Sequence, residues 1–276
     1  MWIYRPTFRH SREVLGFGLK GGVASLIARS GEAICYLLLG TLLGPHATGI
    51  FQRAALMAFW PERIALAGLG TVALPAFSAL ARQGKPLGPN YLHALSIAAA
   101  INWSALATVA LLAEPLVALL LGPNWGEVVP LVRILALAAI FTFPIGLNAA
   151  VQTAAGGIAQ APFVTFVQYA LALGVVLVGT RFGIFGVAWC ALAATPLMAL
   201  VGTAFVRRKI GFTWGQFIGA LLPSALLAGC SALATASIVY FGDIGSPLLR
   251  CLIGGIASGL GLLIGTFLVP HPIRHE

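Results

Sequence analysis

The sequence predicts an all-α, polytopic integral membrane protein with about eight transmembrane helices. Of its 276 residues, 59% are hydrophobic and only 8% are charged, whereas soluble domains carry about 25% charged residues. The mean hydropathy is +0.97. Apolar runs of about 20 residues, the length that crosses a bilayer, recur along the chain and are separated by short segments marked by Gly or Pro.

The elements follow in order from these runs. A basic, polar lead-in occupies residues 1–13. The first apolar run is longer than a bilayer requires, so we expect that helix to tilt or to protrude. A short apolar piece at 115–121 extends the third span. The eight predicted spans cover approximately residues 14–43, 54–80, 91–112, 128–150, 163–178, 184–206, 217–240 and 247–269.

The net charge of +9 does not indicate nucleic-acid binding, because the basic residues gather at span ends and form no basic helix face. Their distribution among the loops predicts the orientation in the membrane. Cytoplasmic loops are enriched in Lys and Arg. With eight spans and both termini in the cytoplasm of an inner-membrane protein, the outer loops hold Arg53, Arg181 and Arg250. The inner segments hold Arg5, Arg9, Arg12, Arg82, Lys85, Arg207, Arg208, Lys209 and Arg274.

The residue pattern argues against an enzyme, a metal site or a cofactor. A membrane transferase acting on diphosphates would need clustered carboxylates, but Asp243 is the only Asp and the glutamates are scattered. The four cysteines lie in apolar segments without metal-ligand spacing and resemble small core residues.

Charge inside the first span marks a candidate site. Lys20, Arg29 and Glu32 lie there, and Arg29 and Glu32 share a helix face because they are three residues apart. Charges at this depth are costly and normally face a water-filled cavity or each other. Arg29 would then contact an anionic head group, while Glu32 either tunes the Arg29 charge or carries a proton. Alternatively, the pair only neutralises itself and sets helix packing. We favour the cavity, because Lys20 adds an unpaired positive charge.

Other polar residues in the spans are weaker candidates. Arg133 has the planar fork that suits phosphate oxygens, but it could equally reach the outer interface. Asn102 and Gln152, with Asn148 and Gln168, would line the same cavity or bond between helices.

Prolines divide the second span. Pro61 and Pro75 are hinge candidates, since proline frees backbone carbonyls and kinks a helix. Glu62 and Arg63 follow Pro61 directly, so this point would be either a rocking hinge or a partly wetted helix end.

Two segments resemble a known family. The first runs from Leu42 to Arg82, and the second comprises Glu114-Pro115, LLLGPNW at 119–125 and VPLVRILA at 129–136. Together they are similar to the C-terminal half of polysaccharide flippases, the lipid-linked oligosaccharide translocators of the multidrug/oligosaccharidyl-lipid/polysaccharide exporter superfamily. The matching residues of the first segment are Leu42, Leu43, Gly44, Pro45, Gly49, Phe51, Arg53, Ala54, Pro61, Pro75, Ala76, Ser78 and Arg82. Cys35 stands where related flippases often place an acidic residue, and Glu32 lies one turn earlier.

The resemblance implies a second-lobe core at residues 14–155 and trailing helices at 156–276. It implies that the chain flips a lipid-diphosphate-linked oligosaccharide across the inner membrane by alternating access, as a partial transporter with a basic groove. The partner would be a separately encoded N-terminal lobe or a second copy of the chain. The alternatives are a non-transporting membrane scaffold or truncated remnant, and an ion-coupled exporter of a small amphiphile that uses Glu32.

Overall fold

The computed structural model describes residues 11–241 and 246–269, and over these residues it is helical without a β-strand. Residues 1–10 and 270–276, with Arg5, Arg9 and Arg274, lie outside the described residues, as does Asp243. The helices are α1 (Ser11–Ala58), α2 (Trp60–Arg82), α3 (Leu87–Leu111), α4 (Ala113–Leu120), α5 (Val128–Thr142), α6 (Pro144–Ala154), α7 (Ala161–Gly179), α8 (Gly183–Ile210), α9 (Trp214–Phe241) and α10 (Pro247–Leu268). The all-α prediction is confirmed.

Six stretches of the described residues are long and apolar enough to cross a membrane. Two of them are interrupted, Gly18–Ala58 by Gly44 and Ala161–Ile210 by Gly183, and both glycines have positive φ. In α2 the shorter stretch Val72–Arg82 is apolar. All eight predicted spans therefore fall on helices, and the polytopic membrane class is confirmed.

The chain folds back at Gly44 inside α1. Gly44 has φ 85° and ψ 164°, a conformation that glycine adopts without steric cost. Leu39 and Phe51, on opposite sides of this break, meet in one apolar cluster with Val176. In a continuous helix these two residues would be about 18 Å apart along the axis. The first predicted span, which ends at about residue 43, stops at this break.

Within the predicted fourth span Pro144 marks the boundary between α5 and α6, while Phe143 before it keeps helical φ and ψ and Val128–Ala154 forms one apolar stretch. Pro144 has no N–H to donate to the carbonyl of Ile140, four residues earlier. The indole Nε1–H of Trp103 donates to that carbonyl instead, at 2.9 Å, and the Trp103 ring contacts Phe143 edge-on. A side chain of α3 thus satisfies the group that the proline leaves free.

Hydroxyl groups join the last two helices to α3. The Ser224 hydroxyl of α9 donates to the Ser96 carbonyl at 2.8 Å. Further along, the Thr108 hydroxyl donates to Ser258 Oγ of α10 at 2.6 Å, and Ser258 Oγ lies 2.7 Å from Ser231 Oγ of α9. These five residues form what we call the hydroxyl clasp, and interhelical hydrogen bonds of this kind hold membrane helices together.

Three loops meet at one end of the bundle. A Cβ on Gly88 would lie 3.1 Å from the Ile210 carbonyl, and one on Gly157 would lie 3.5 Å from Lys209 Cε. The loops before α3, before α7 and before α9 are therefore neighbours. We call this the basic end, since it exposes Arg82, Lys85, Arg207, Arg208 and Lys209. The guanidinium of Arg207 lies 5.4 Å from the Trp214 ring centroid.

Candidate functional site

The largest cavity described has a volume of about 440 Å³ and lies between α1, α2, α5, α7 and α8. We call it the main cavity. Its walls are mostly apolar and include Leu39, Phe51 and Val176. The polar and charged lining residues are Glu32, Tyr36, Glu62, Arg63, Thr142, Tyr169 and Thr195.

Glu32 faces the main cavity, whereas Arg29 does not line it. The Nη1 atom of Arg29 lies 4.0 Å from Glu32 Oε2, and the Arg29 side chain is 86% exposed. The predicted pair therefore forms at the edge of the cavity. Lys20 is exposed on α1 and lines no described cavity.

Glu62 connects α2 to α5 at the wall of the main cavity. It follows the interruption at Phe59 between α1 and α2, and Thr142 precedes the break at Pro144. The Thr142 hydroxyl donates to Glu62 Oε2 at 2.8 Å. Pro61, in the first turn of α2, lies at a real interruption, while α2 continues through Pro75. Of the two hinge candidates, only Pro61 coincides with a break.

Two tyrosines that sequence reasoning missed line the same cavity. Tyr36 comes from α1, and Tyr169 from α7. Tyr169 packs against Gly31, where a Cβ would lie 2.5 Å from the ring. No local signal in the sequence separated these tyrosines from ones at a membrane interface.

A smaller cavity of about 110 Å³ lies between α6, α7 and α8. We call it the amide pocket, because it is lined by the carboxamides of Asn148, Gln152 and Gln168. The hydroxyls of Thr153 and Thr165 also line it. Gln152 therefore lines a cavity, although a different one from Glu32.

The amide pocket continues the main cavity towards the basic end. On α7, Tyr169 lines the main cavity and Gln168 the pocket; on α8, Met198 lines the main cavity and Gly202 the pocket. Because α8 runs towards the basic end at Lys209, the pocket lies nearer that end. The two cavities are neighbours along α7 and α8 and share no lining residue; we refer to them together as the groove.

The remaining candidates lie elsewhere. Arg133 is exposed on α5 and lines neither cavity. Asn102 is 2% exposed within α3, and its amide atoms have no hydrogen-bond partner among the described residues. It lines neither cavity.

The main cavity is less basic than the groove that the resemblance implied. Its lining holds two carboxylates, Glu32 and Glu62, and one guanidinium, Arg63. The expected positive charges of Lys20, Arg29 and Arg133 lie outside it, because their side chains point away from the helix contacts that enclose it. The described residues contain no cluster of three His, Cys, Asp or Glu that could hold a metal ion.

Fold and cavities define a polytopic membrane protein built around an internal groove. Residues 1–130 match the family model of a polysaccharide biosynthesis protein. The match confirms the resemblance over α1 to α4 and is consistent with a member of the polysaccharide flippase family. The groove walls from α7 and α8 lie beyond the matched residues. No curated protein and no solved structure matches the chain.

Proposed function

We propose that the chain serves polysaccharide synthesis by moving a lipid-linked oligosaccharide across the inner membrane by alternating access. The family match supports a role in polysaccharide production or export. The observation that carries the transport step is the hydrogen bond between Thr142 and Glu62, which joins α5 to α2 near Pro144 and Pro61 at the wall of a cavity of about 440 Å³. Each proline removes one backbone hydrogen bond from its helix, and helices interrupted near a cavity are typical of transporter sites.

The orientation in this proposal places the basic end in the cytoplasm. Five exposed Lys and Arg residues gather there, and cytoplasmic loops carry such an excess. The amide pocket then lies on the cytoplasmic side of the main cavity.

The charged face of α1 meets the diphosphate and a partner. Arg29 and Lys20 are exposed together with Leu19 and Leu26. Charges left in lipid cost several kcal/mol each, by a rough estimate. We propose that a first lobe or a second copy of the chain covers this face, and that the diphosphate binds between them. Glu32 and Glu62 remain available to exchange a coupling cation.

A second candidate is the ion-coupled export of a small amphiphile. The observation that favours it is the excess of carboxylates over guanidinium groups in a largely apolar main cavity. Such a wall suits a cationic amphiphile better than a diphosphate.

Complementation of cells that lack their own flippase tests the first proposal. Arg29→Ala is expected to abolish surface polysaccharide while membrane abundance is unchanged. The double variant with Glu32→Ala should stay inactive, because the phosphate contact is still missing. Arg181→Ala, an exposed arginine on the turn before α8, is the matched control. Full recovery by the double variant would show that Arg29 serves only to pair with Glu32.

A further inference from the structure

We propose that the amide pocket binds a neutral, hydroxyl-rich ligand: the hydroxyl groups of one sugar unit. The inference rests on the proposed function only for the choice of sugar as the source of these hydroxyls. The pocket itself is defined by its unpaired polar groups, its size and its lack of charge.

Unpaired polar groups converge on the pocket. Gln152 is 6% exposed, and its carboxamide has no hydrogen-bond partner among the described residues. The side chains of Gln168 and Thr165 line the same space, also without a partner in the described part of the chain. A carboxamide offers two N–H donors and an acceptor oxygen, and at Gln152 they face the space of the pocket. An occupant that both donates and accepts hydrogen bonds matches these groups.

One group is held in place for binding. Asn148 Oδ1 accepts from the Tyr91 hydroxyl at 2.6 Å, and Asn148 Nδ2 donates to Thr203 Oγ1 at 3.3 Å. These two contacts fix the orientation of the amide and leave its second N–H for an acceptor in the pocket. A rigid donor of this kind binds without a cost for ordering it.

The size and charge of the pocket narrow the ligand class. Its volume of about 110 Å³ holds about three or four water molecules. That space accepts a hydroxymethyl group and the hydroxyls on one edge of a sugar ring. Its described lining contains no ionisable side chain, so it offers no counter-charge to a phosphate, a carboxylate or a metal ion.

The position agrees with a sugar next to a lipid head group. Met198 in the main cavity and Gly202 in the pocket lie one turn apart on α8. A sugar in the pocket would therefore lie about 6 Å further along α8 than a head group at Met198. The same hydroxyl chemistry could also be supplied by a cluster of water molecules, which the experiment separates from a sugar.

Saturation-transfer NMR on the full chain in lipid nanodiscs tests the inference. The probes are D-glucose, N-acetyl-D-glucosamine and D-glucuronate, each titrated alone. We expect saturation transfer to the two neutral sugars and weaker transfer to glucuronate. Gln152→Leu should reduce the affinity for the neutral sugars by roughly tenfold, the equivalent of one hydrogen bond.

Two further variants keep the result interpretable. Gln168→Leu should weaken binding in the same way, whereas Gln52→Leu, at an exposed position of α1, should leave it unchanged. Replacing an unpaired buried amide by a similar apolar group should not unfold the protein. Equal sugar binding by the wild-type, Gln152→Leu and Gln168→Leu proteins would overturn the inference. The absence of any sugar binding would also overturn it and would show that the pocket holds only water molecules. Loss of surface polysaccharide in the complementation assay with sugar binding intact would instead count against the transport proposal.

Discussion

At the scale of single residues, the main cavity owes its character to where side chains point around their helices. The sequence placed Glu32 and Arg29 on one helix face, and the structure keeps them 4.0 Å apart but turns only Glu32 to the cavity. Glu62 was visible beside Pro61, yet its partner Thr142 comes from a helix 80 residues later. Nearly every face of these helices is apolar, so hydrophobic periodicity could not show which residues line the groove.

The hydrogen bond from Thr142 to Glu62 is expected to stabilise the fold. Thr142→Val removes the hydroxyl donor, so Glu62 Oε2 loses this hydrogen bond. The free energy of unfolding should therefore fall by about 1 kcal/mol. Denaturation in mixed micelles measures the loss. Adding Glu62→Gln to Thr142→Val should recover part of it, because the carboxylate is removed.

Thr41 supplies the matched control for this prediction. Its hydroxyl is exposed and bonds only to the Leu38 carbonyl of the preceding turn. Thr41→Val should therefore change the unfolding free energy little. A loss in Thr142→Val no larger than that in Thr41→Val would contradict the role given to the Glu62 contact.

At the scale of elements, the helix breaks were predictable where glycine and proline occur together and less so where proline stands alone. Gly44-Pro45 ends the first helix as the sequence indicated. Pro144 lies inside the predicted fourth span, where it marks the boundary between α5 and α6 within one apolar stretch. The compensating donor, Trp103, lies on another helix, so the stability of this break depends on tertiary packing.

The break at Pro144 predicts an energetic coupling between two positions. Trp103→Phe leaves the Ile140 carbonyl unpaired and should destabilise the protein by about 1 kcal/mol. In a Pro144→Ala background, the new N–H at residue 144 can bond to that carbonyl, so the same substitution should cost less. A double-mutant cycle measured by unfolding gives the coupling energy.

Additivity is the result that would count against this account. If Trp103→Phe costs the same in the wild-type and in the Pro144→Ala background, the indole does not replace the missing backbone donor. Trp125→Phe, on the short turn before α5, controls for the general loss of an indole.

At the scale of the whole molecule, the helical class and the clustering of charge were predictable from the sequence. The structure adds which loops and helix ends lie together at the basic end. Lys85 lies in the loop before α3 and Arg208 in the last turn of α8, far apart in the chain, but both lie at the basic end. The groove could not be predicted, because α1, α2, α5, α6, α7 and α8 build it from segments with no common motif.

The proposed sidedness is tested by cysteine labelling in intact cells from a variant without native cysteines. Lys85→Cys and Arg208→Cys should react with an impermeant maleimide only after the cells are permeabilised. Asn124→Cys, in the turn between α4 and α5, should react from outside. Rapid labelling of the cysteine at position 85 in intact cells would reverse the orientation.

The hydroxyl clasp also has a consequence for the chain during its synthesis and membrane insertion. Its partners are 128 residues apart between Ser96 and Ser224, and 150 apart between Thr108 and Ser258. At ribosomal speeds of about 5–20 residues per second, α3 waits roughly 6 to 30 s in the membrane for its partners. During that interval the serine and threonine side chains of α3 need temporary hydrogen-bond partners from lipid head groups, water or the insertion machinery. Premature termination before α9 would make that exposure permanent, and we expect the shortened chain to be recognised by membrane proteases.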